Sequence, residues 1–495
     1  VRRPDPALRR RLLPPVPTDG PASWLATAAV AMIAAVLRLV GLAEPNKKIF
    51  DEIYYATDAH HLMQHGVEWD EKANSGSFIA HPPLGKWIIG LGEQLFGYNT
   101  VGWRIMPVLA GVVSVVILIR LARRMFGSTV LGCVAGLLMT LDGMAFVSSR
   151  VALLDIFLMM FTLASFACLV MDREATRRRW LAFIDDGGDT WTGRPKHGVP
   201  WWRLAAAALI GCAMAVKWSA AWYIVLFVIL VVVWEAHARK AAGVRRPWRD
   251  ALLDELGWLA ATLGVIVVVY LASWSGWFAN DHSWDRHWLS QHNDPEPPVV
   301  GAVYNLVRYH LDILNFHIGL SVKHGYQSWP LQWLTLGRPV AYDWSDAQLC
   351  GSGQCAAEVI LLGTPLLWWT FVPAMAATLY WSIARRDWRG WALLAGAAAG
   401  IVPWLYYQVS DHRTMFYFYA LPSEPFLVLI VTLVLGMIIG GPARSRDRRL
   451  VGGLIAGAYV ALVALCFLYF YPLYVGESIP YQDWHARMWL GAKWI

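Results

Sequence analysis

Eleven apolar runs, separated by polar segments, form the main pattern along the chain. Each run is long enough to cross a bilayer, which takes about 17–25 residues in a helix. The pattern therefore predicts an all-α polytopic membrane protein with about eleven transmembrane helices. The runs begin near Trp24, Thr100, Thr129, Val151, Trp201, Trp222, Trp258, Val359, Trp391, Met415 and Leu450.

The basic residues between these runs predict an orientation. Six clusters of arginine and lysine each follow an even number of predicted spans, counting the N-terminus as zero. Cytoplasmic loops of membrane proteins carry an excess of these residues, so the N-terminus is predicted to be cytoplasmic and the C-terminus external. The clusters lie within residues 2–11, 120–124, 173–179, 239–249, 385–389 and 444–449.

Composition supports the membrane prediction and sets the domain organisation. The 495 residues are 57% hydrophobic and include 29 Trp, which excludes an ordinary soluble domain. Residues 1–22 are predicted to form a disordered cytoplasmic tail, and residues 23–495 one transmembrane domain. The first apolar run is too long for a signal peptide and lacks a small-residue cleavage site, so we expect it to remain as an anchor.

Three parts of the transmembrane domain are predicted to be external: the loops 44–99 and 278–357, and the C-terminal segment 472–495. The first loop contains two amphipathic patterns, one opening at Asp51 and Glu52 and stopping at Gly66, the other running from Leu84 to Gly97. Both are too short to cross a bilayer and are predicted to lie along its external surface.

The second external loop offers two further features. Cys350 and Cys355 could form a disulfide in an oxidising compartment or remain free thiols. His310, His317 and His324 recur every seven residues, about 10 Å apart on a helix, which is too far for one zinc ion. The spacing favours the polar stripe of a surface helix, and we predict no metal, although carboxylates near a phosphate could hold a divalent ion.

The candidate chemistry centres on the adjacent carboxylates Asp51 and Glu52. Arg38, Arg104, Arg150 and Lys217, from four different segments, are predicted to reach the same outer level of the bilayer. Solvated carboxylates at a helix start and interfacial anchoring of single cations are the structural alternatives. Four converging cations favour instead a bound anion.

A lipid-linked sugar phosphate would fit such a site. The cations would stabilise the charge that grows on the phosphate as the sugar leaves. One carboxylate would then suffice as the base for an acceptor hydroxyl, giving an inverting displacement. We assign the base to Asp51 and the positioning of acceptor or sugar to Glu52.

Several stretches give the chain a resemblance to a known family. They are Phe50-Asp51-Glu52, His81-Pro82-Pro83-Leu84-Gly85-Lys86, Arg104, Arg150 through Asp155, Lys217-Trp218-Ser219, His324-Gly325-Tyr326-Gln327-Ser328 with Trp329-Pro330, and Arg413-Thr414-Met415-Phe416-Tyr417. With these motifs the chain resembles the protein O-mannosyltransferases, which have the GT-C fold and belong to glycosyltransferase family 39.

The resemblance implies an enzyme that transfers mannose from a polyprenyl or dolichyl phosphate to Ser or Thr hydroxyls of polypeptides. The family's acidic pair matches Asp51 and Glu52, and its essential arginines match Arg38 and Arg104. Contacts to the donor phosphate are predicted from Arg38, Arg104, Lys217, His412 and Arg413. Lining of the substrate site is predicted from Tyr54, His81, Arg150, Asp155, His324 and Tyr326.

Two departures from the family pattern refine this expectation. The second external loop is too short for the β-trefoil MIR domain of the eukaryotic members, and Gly325 replaces a proline of the family's His-Pro-Tyr motif. The expected member is therefore bacterial, in the plasma membrane, with its site on the external face. Its predicted partners are the donor lipid, the acceptor polypeptide, the bilayer and the Sec translocon, without nucleic acid.

Two rival functions are compatible with a membrane protein of this kind. Another GT-C enzyme would share the fold and the donor class but move a different sugar to a lipid or glycan acceptor. A lipid transporter or flippase would place charged residues at mid-bilayer and use paired broken helices, whereas this chain gathers its charge at the outer ends of its spans. The sequence has no phosphate-binding glycine loop, which argues against an ATP-driven pump.

Overall fold

The computed structural model describes residues 6–13, 18–191, 193–195, 198–345, 350, 353–441 and 443–494. Among them, nine helical segments are long and apolar enough to cross a membrane. They are α2 (Pro21–Leu39), α5 (Thr100–Phe126), α8 (Asp155–Asp185), α10 (Ala220–Ala242), α11 (Pro247–Ser273), α16 (Pro365–Arg385), α17 with α18 (Trp388–Ala399 and Val402–Ser410), a 3-10 turn with α19 (Tyr417–Ser423 and Glu424–Ile439), and α20 (Arg446–Val475).

Two shorter apolar helices complete the bundle, α6 (Thr129–Thr140) and α9 (Trp201–Val216). Each of the eleven apolar runs of the sequence overlaps one of these eleven segments, nine of which are long enough to cross a membrane. Helix α8 lies at the centre, where it packs against α5, α9 and α10. Helix α19 is also buried on most of its surface, which explains why its sequence is apolar all round.

The remaining helices are short or lie between the long ones. They are α1 (Pro6–Leu12), α3 (Glu52–His65), α4 (Leu84–Phe96), α7 (Gly143–Ser148), α12 (Ser275–Ala279), α13 (Trp288–Gln291), α14 (Pro298–Gly319), α15 (Pro330–Trp333) and α21 (Tyr481–Ala486). The two amphipathic helices predicted in the first external loop are confirmed as α3 and α4. Gly66 ends α3 with a left-handed backbone, φ 77°, as a glycine after a helix commonly does.

Short strands, which the all-α prediction did not include, cover part of the end of the bundle where α3 and α4 lie. Strands β1 (Trp69–Asp70) and β2 (Ser75–Gly76) form a small hairpin, whereas β3 (Val340–Ser345), β4 (Cys355–Leu361) and β5 (Ile479–Pro480) form an antiparallel sheet in the order β3-β4-β5. The run from Val359 was predicted as the start of a span but belongs to β4. The helix starts only at Pro365, a residue suited to a first helical turn.

The second external loop contains the predicted surface helix and a disulfide. Helix α14 carries His310 and His317, but His324 lies beyond its end, so the predicted stripe of three is wrong in its last member. Cys350 and Cys355 are joined by a disulfide, with Cα atoms 5.9 Å apart. Of the two alternatives for this cysteine pair, the structure therefore has the disulfide.

The predicted disordered tail is wrong for residues 6–12, which form α1. Leu12 is fully buried against Trp180 of α8 and Ala238 of α10, and this apolar contact holds the helix on the bundle. Residues 1–5 and 14–17 of the predicted tail lie outside the described residues. The predicted C-terminal segment also begins later than expected, because α20 continues to Val475.

Buried ion pairs connect the four helices α8, α9, α10 and α11 at the end of the bundle away from α3. Arg203 of α9 is buried and forms ion pairs with Asp172 and Glu235, both at 2.9 Å, and with Glu255. Arg239 joins the same network through Glu235 at 2.6 Å. These charges face each other inside the bundle, so the helices can carry them without exposing them to lipid.

Candidate active site

The adjacent carboxylates lie at the start of α3, where Asp51 is the capping residue and Glu52 the first helical residue. Phe50, directly before them, has φ 47°, in the left-handed region that residues with a side chain seldom adopt. The ring of Phe50 stacks on Tyr342 at 4.6 Å and meets Phe418 edge-on at 5.9 Å. This packing holds the turn and points the two carboxylates into different surroundings.

Glu52 is fully buried and already has its hydrogen bonds. Its carboxylate accepts from Nε and Nη2 of Arg104, both at 2.8 Å, from the backbone N–H of Ala152 at 2.9 Å and from that of Ile49 at 3.0 Å. A carboxylate with four such partners has little capacity left for a substrate. The structure therefore does not support the prediction that Glu52 positions acceptor or sugar, and gives it a structural contact instead.

Arg104 holds the segment that precedes the carboxylates. Besides Glu52, its guanidinium donates to the carbonyl oxygens of Leu42, Glu44 and Pro45 at 3.1–3.2 Å and to that of Lys47 at 3.0 Å. All its donors are used in this arrangement, and the side chain is 1% exposed. Arg104 is thus not available to a donor phosphate here, contrary to the prediction from its place near the outer end of a span.

The other two predicted arginines also serve the scaffold. Arg38 is fully buried and donates from Nε to the hydroxyl of Ser149 at 2.8 Å, while its Nη2 has no hydrogen-bond partner among the described residues. Arg150 donates to the carbonyl oxygens of Arg38, Val40 and Gly41, each at 2.7 Å, and so satisfies a carbonyl in the last turn of α2 and two carbonyls just after it. Neither Arg38 nor Arg150 lines the cavity described below, and the phosphate contact of Arg38 and the substrate lining by Arg150 stay predictions.

The carboxylate of Asp51, in contrast, makes no hydrogen bond or ion pair with the described residues. Burial raises the pKa of this carboxyl group to about 6, while Lys217 acts to lower that pKa and Asp155 to raise it. Tyr342 lies in the same surroundings, and its buried hydroxyl has no hydrogen-bond partner among the described residues. A partly buried carboxylate without a partner, next to a cation, is free to take a proton from a bound group.

Lys217 and Asp155 form a buried ion pair next to Asp51. The ammonium group of Lys217 lies 2.9 and 3.1 Å from the two carboxylate oxygens of Asp155, the first residue of α8. Lys217 follows the last residue of α9 in an extended conformation, and its ammonium lies 4.6 Å from the ring centre of Tyr419. The break between α9 and α10 thus delivers a cation to the same place as the start of α3.

A cavity of about 340 Å³ opens from this ion pair. It brings together two predicted phosphate contacts, Lys217 and Arg413, and one predicted lining residue, His81. Its walls are otherwise mainly apolar and aromatic, as in a site for an amphiphilic ligand. The lining residues are His81, Met214, Lys217, Trp218, Ser219, Ala221, Trp222, Leu314, His317, Ile318, Trp404, Tyr407, Asp411, Arg413 and Tyr419.

Two histidines shape the wall of this cavity. His81 stacks on His317 with ring centres 5.2 Å apart, and Arg413 donates to the carbonyl oxygen and to Nδ1 of His317. Burial and the nearby cations lower the pKa of His81 well below its ordinary value and that of His317 to about 4. Both rings are therefore neutral near pH 7, and the positive charge of the cavity comes from Lys217 and Arg413.

Asp51 and Asp155 lie beside Lys217 but are not among the residues that line the cavity, and four further predicted site residues lie away from it. Tyr54 is 61% exposed on the outer face of α3, and His412 is exposed in the turn before Arg413. His324 is exposed with its ring against Phe416, while Tyr326 lies half-buried with the guanidinium of Arg338 over its ring. The predicted roles of these four residues therefore have no support from the geometry of this cavity.

Sequence reasoning also missed four residues near the site: Tyr55, His317, Tyr342 and Tyr419. Tyr55, not Tyr54, faces inward, where its ring lies 6.3 Å from His81. The helical pattern of α3 could have identified it, because Tyr55 shares the face of Ala59 and Leu62, which are buried. Tyr342 and Tyr419 come from distant segments and carry no such local signal.

The part of the chain that the structure describes contains no group of three His, Cys, Asp or Glu side chains suited to holding a metal ion. The carboxylates of the site are engaged differently: Glu52 with Arg104, Asp155 with Lys217, and Asp51 with neither. The three carboxylates therefore do not form a common set of ligands.

Two family models match the chain. Residues 28–185 match dolichyl-phosphate-mannose-protein mannosyltransferase, and residues 302–494 match the C-terminal four-transmembrane region of protein O-mannosyltransferase. The first range includes α3 with both carboxylates and Asp155, and the second includes Arg413 and Tyr419. Lys217 and the other lining residues between Met214 and Trp222 fall between the two matched ranges.

Full-length relatives and solved structures agree with these matches. The polyprenol-phosphate-mannose–protein mannosyltransferase of Mycolicibacterium smegmatis is 39% identical over 96% of this chain and 93% of its own length, and that of Corynebacterium glutamicum is 32% identical over 96% and 95%. In fold, the chain is similar to the Saccharomyces cerevisiae protein O-mannosyltransferase Pmt1–Pmt2 complex bound to the sugar donor, with a TM-score of 0.74, 14% identity and coverage of 100% of this chain and 95% of that one. ArnT from Cupriavidus metallidurans is a more distant neighbour, with a TM-score of 0.52, 16% identity and coverage of 92% and 76%. The resemblance noted in the sequence is confirmed, and the chain belongs to the family of polyprenol-phosphate-mannose–protein mannosyltransferases.

Proposed function

We propose that the chain is an inverting glycosyltransferase that moves mannose from polyprenyl-phosphate mannose to a Ser or Thr hydroxyl of a polypeptide. The names of the full-length relatives support the donor and the acceptor class. The observation that carries the chemistry is the carboxylate of Asp51, which has no partner among the described residues and lies beside the Lys217–Asp155 ion pair; Lys217 in turn lines the cavity.

Asp51 acts as the general base in this proposal. Its carboxylate takes the proton of the acceptor hydroxyl while the oxygen attacks C1 of mannose from the side opposite the phosphate. The bond between C1 and the phosphate oxygen breaks, and polyprenyl phosphate leaves with the electron pair. A pKa of about 6 keeps Asp51 ionised near pH 7, and makes it a stronger base than an ordinary aspartate.

Lys217 and Arg413 provide the positive charge for the donor phosphate. Both line the cavity, and the histidines beside them are neutral near pH 7. Arg104 and Arg150 contribute indirectly, because they fix the segment between α2 and α3 on which Asp51 sits. The apolar side of the cavity, with Trp222 and Trp404, suits the first isoprene units of the lipid.

We also propose the membrane face on which the reaction takes place and the way in which the acceptor reaches the site. The site belongs on the external face of a bacterial plasma membrane, since the basic loops lie at the other end of the predicted spans. The polypeptide would then meet the site as it leaves the Sec translocon. No catalytic metal is proposed, because a polyprenyl phosphate is a good leaving group and two cations already face the cavity.

Replacement of Asp51 by Asn tests the base. With saturating donor and a Thr-rich acceptor peptide, we expect the Asp51→Asn variant to lose a factor of about 10²–10⁴ in turnover, the usual contribution of a general base. Asp70→Asn, which removes an exposed carboxylate from the same loop, should leave turnover unchanged. An Asp51→Asn enzyme with wild-type turnover would remove Asp51 from the mechanism.

The pH profile of the same assay provides a second readout. Protonation of Asp51 removes the base, so the wild-type rate should fall about tenfold per pH unit below pH 6 and level off above it. The residual rate of the Asp51→Asn variant should lack this limb. Labelled mannose that appears in lipid or glycan, and not in the peptide, would favour the rival acceptor class.

A further inference from the structure

A second and larger cavity, of about 680 Å³, lies at the opposite end of the bundle from Asp51. It is bounded by the ends of α1, α5 and α16, the start of α17 and the second half of α8. Helix α8 connects the two sites: Arg173 lies eighteen residues after Asp155, or about 27 Å along the helix. That distance is close to the thickness of a bilayer core, about 30 Å, so the cavity opens at the opposite membrane interface.

The cavity has an excess of positive charge. Six arginines line it against two carboxylates, Glu174 and Asp387. Each carboxylate is already paired, Glu174 with Arg124 at 2.6 Å and Asp387 with Arg389 at 2.6 Å. The other four arginines have no carboxylate partner in the described part of the chain; they are Arg173, Arg177, Arg385 and Arg386.

Arg173 is the strongest sign that an anion belongs here. Its side chain is 6% exposed, and its Nε has no hydrogen-bond partner among the described residues. Its guanidinium lies 3.7 Å from the ring centre of Trp388, which can attract a cation but cannot neutralise it. A buried guanidinium without a counter-ion is costly, and a phosphate is the group that its planar donors match.

The rest of the lining favours a lipid over a soluble phosphate. Leu12, Leu13, Met125, Phe126 and Trp381 contribute an apolar surface next to the arginines. A phospholipid can place its phosphate between the arginines and its acyl chains along this surface, as in basic pockets between transmembrane helices. A free phosphate ion would leave the apolar part of the cavity unused.

We propose that this cavity binds the phosphate headgroup of an anionic phospholipid at the membrane face opposite the active site. Arg173 and Arg177 line the cavity from α8. Arg385 and Arg386 form its edge at the exposed end of α16. The donor lipid has its own cations at the other face, so this is a separate binding site. It requires no particular sugar or acceptor, and it stands independently of the proposed reaction.

The test is retention of lipid by the purified full chain. The protein is reconstituted in vesicles of equal parts phosphatidylglycerol and phosphatidylcholine, extracted in mild detergent, and analysed by native mass spectrometry. We expect the wild type to retain one phosphatidylglycerol in preference to phosphatidylcholine. Arg385 and Arg386 are both exposed, so replacing them should not disturb the core. The double variant Arg385→Gln/Arg386→Gln should reduce that retention about tenfold or more, since the phosphate then has two fewer cations to bind it.

Matched variants separate the site from general charge. Lys240→Gln removes one positive charge outside the cavity, because Lys240 is exposed in the last turn of α10 and does not line it, and should retain lipid like the wild type. Arg173→Gln should lose the lipid if the variant folds. Equal retention of both lipids, equal retention by the Arg385→Gln/Arg386→Gln protein, or complete displacement by millimolar inorganic phosphate would each overturn the proposal.

Discussion

At the residue scale, the two adjacent carboxylates have opposite environments. Glu52 is buried with four hydrogen bonds, two of them from Arg104, whereas the Asp51 carboxylate has none and a pKa raised to about 6. Consecutive residues at a helix start point in different directions, so the backbone itself separates them. This difference is why we propose Asp51 as the base, whereas Glu52 serves as a structural partner of Arg104.

Replacement of Glu52 by Gln should therefore reduce stability. The variant leaves Arg104 buried without its counter-charge, which typically costs about 3–5 kcal/mol. Thermal unfolding in detergent should show a clear decrease in stability for Glu52→Gln, and little change for Asp51→Asn. Wild-type stability of Glu52→Gln together with weaker acceptor binding would restore the positioning function predicted from the sequence.

Lys217 provides a separate test of the phosphate site. Lys217→Ala should raise the KM for the donor about tenfold or more and leave the KM for the peptide nearly unchanged, because the variant removes a cation that binds the phosphate. The change also leaves Asp155 buried and unpaired. The double variant Lys217→Ala/Asp155→Asn removes that carboxylate and should keep the donor defect. A defect in peptide binding alone would contradict the assignment.

At the element scale, the end of α2 depends on one side chain from another segment. Arg150 donates to three carbonyl oxygens at this end, and Arg104 holds the residues that follow. Together they fix the path from the first span to α3. The position of Asp51 is therefore a property of two arginines that do not contact the cavity.

Arg150→Lys should destabilise this junction even though it preserves the charge. A single ammonium group cannot replace the two arms of a guanidinium, so we expect a decrease of about 1–3 kcal/mol in unfolding free energy. Arg178→Lys, on the exposed face of α8, is the control and should be neutral. If Arg150 lined the substrate site instead, the variant would raise a KM without lowering the unfolding temperature.

At the scale of the whole molecule, the bundle has two chemically different ends. One carries the carboxylates, the cavity of the proposed reaction, the disulfide and the short strands; the other carries the Arg203 network and the arginine-lined cavity. Since basic loops stay on the cytoplasmic side, the end with Asp51 is predicted to be external.

Cysteine labelling in intact cells tests this orientation. The four free cysteines, Cys133, Cys168, Cys212 and Cys466, are first replaced by alanine. A membrane-impermeant maleimide should then label Glu71→Cys, which lies exposed near β1, and not Arg245→Cys, which lies exposed between α10 and α11. Permeabilised cells should show both labels. The reverse pattern would place the site on the cytoplasmic face.

The sequence by itself determined the helical membrane architecture, the two surface helices and the candidate carboxylates. These follow from apolar runs, helical periodicity and charge placement, which are local patterns. The family motifs then pointed to Lys217, Asp155, His81 and Arg413, and the structure does bring these four to the same cavity or its edge.

Only the tertiary structure decided which of the charged residues have partners. Arg104 and Arg150 look like phosphate-binding cations in sequence, yet Glu52 and carbonyl oxygens from distant segments occupy their donors, and Arg38 donates to the Ser149 hydroxyl. The sequence of β4 likewise predicts the start of a span, but in the structure this segment pairs with β3 and β5 as a strand. Hydrogen-bond satisfaction depends on groups far apart in the chain, and no local pattern contains that information.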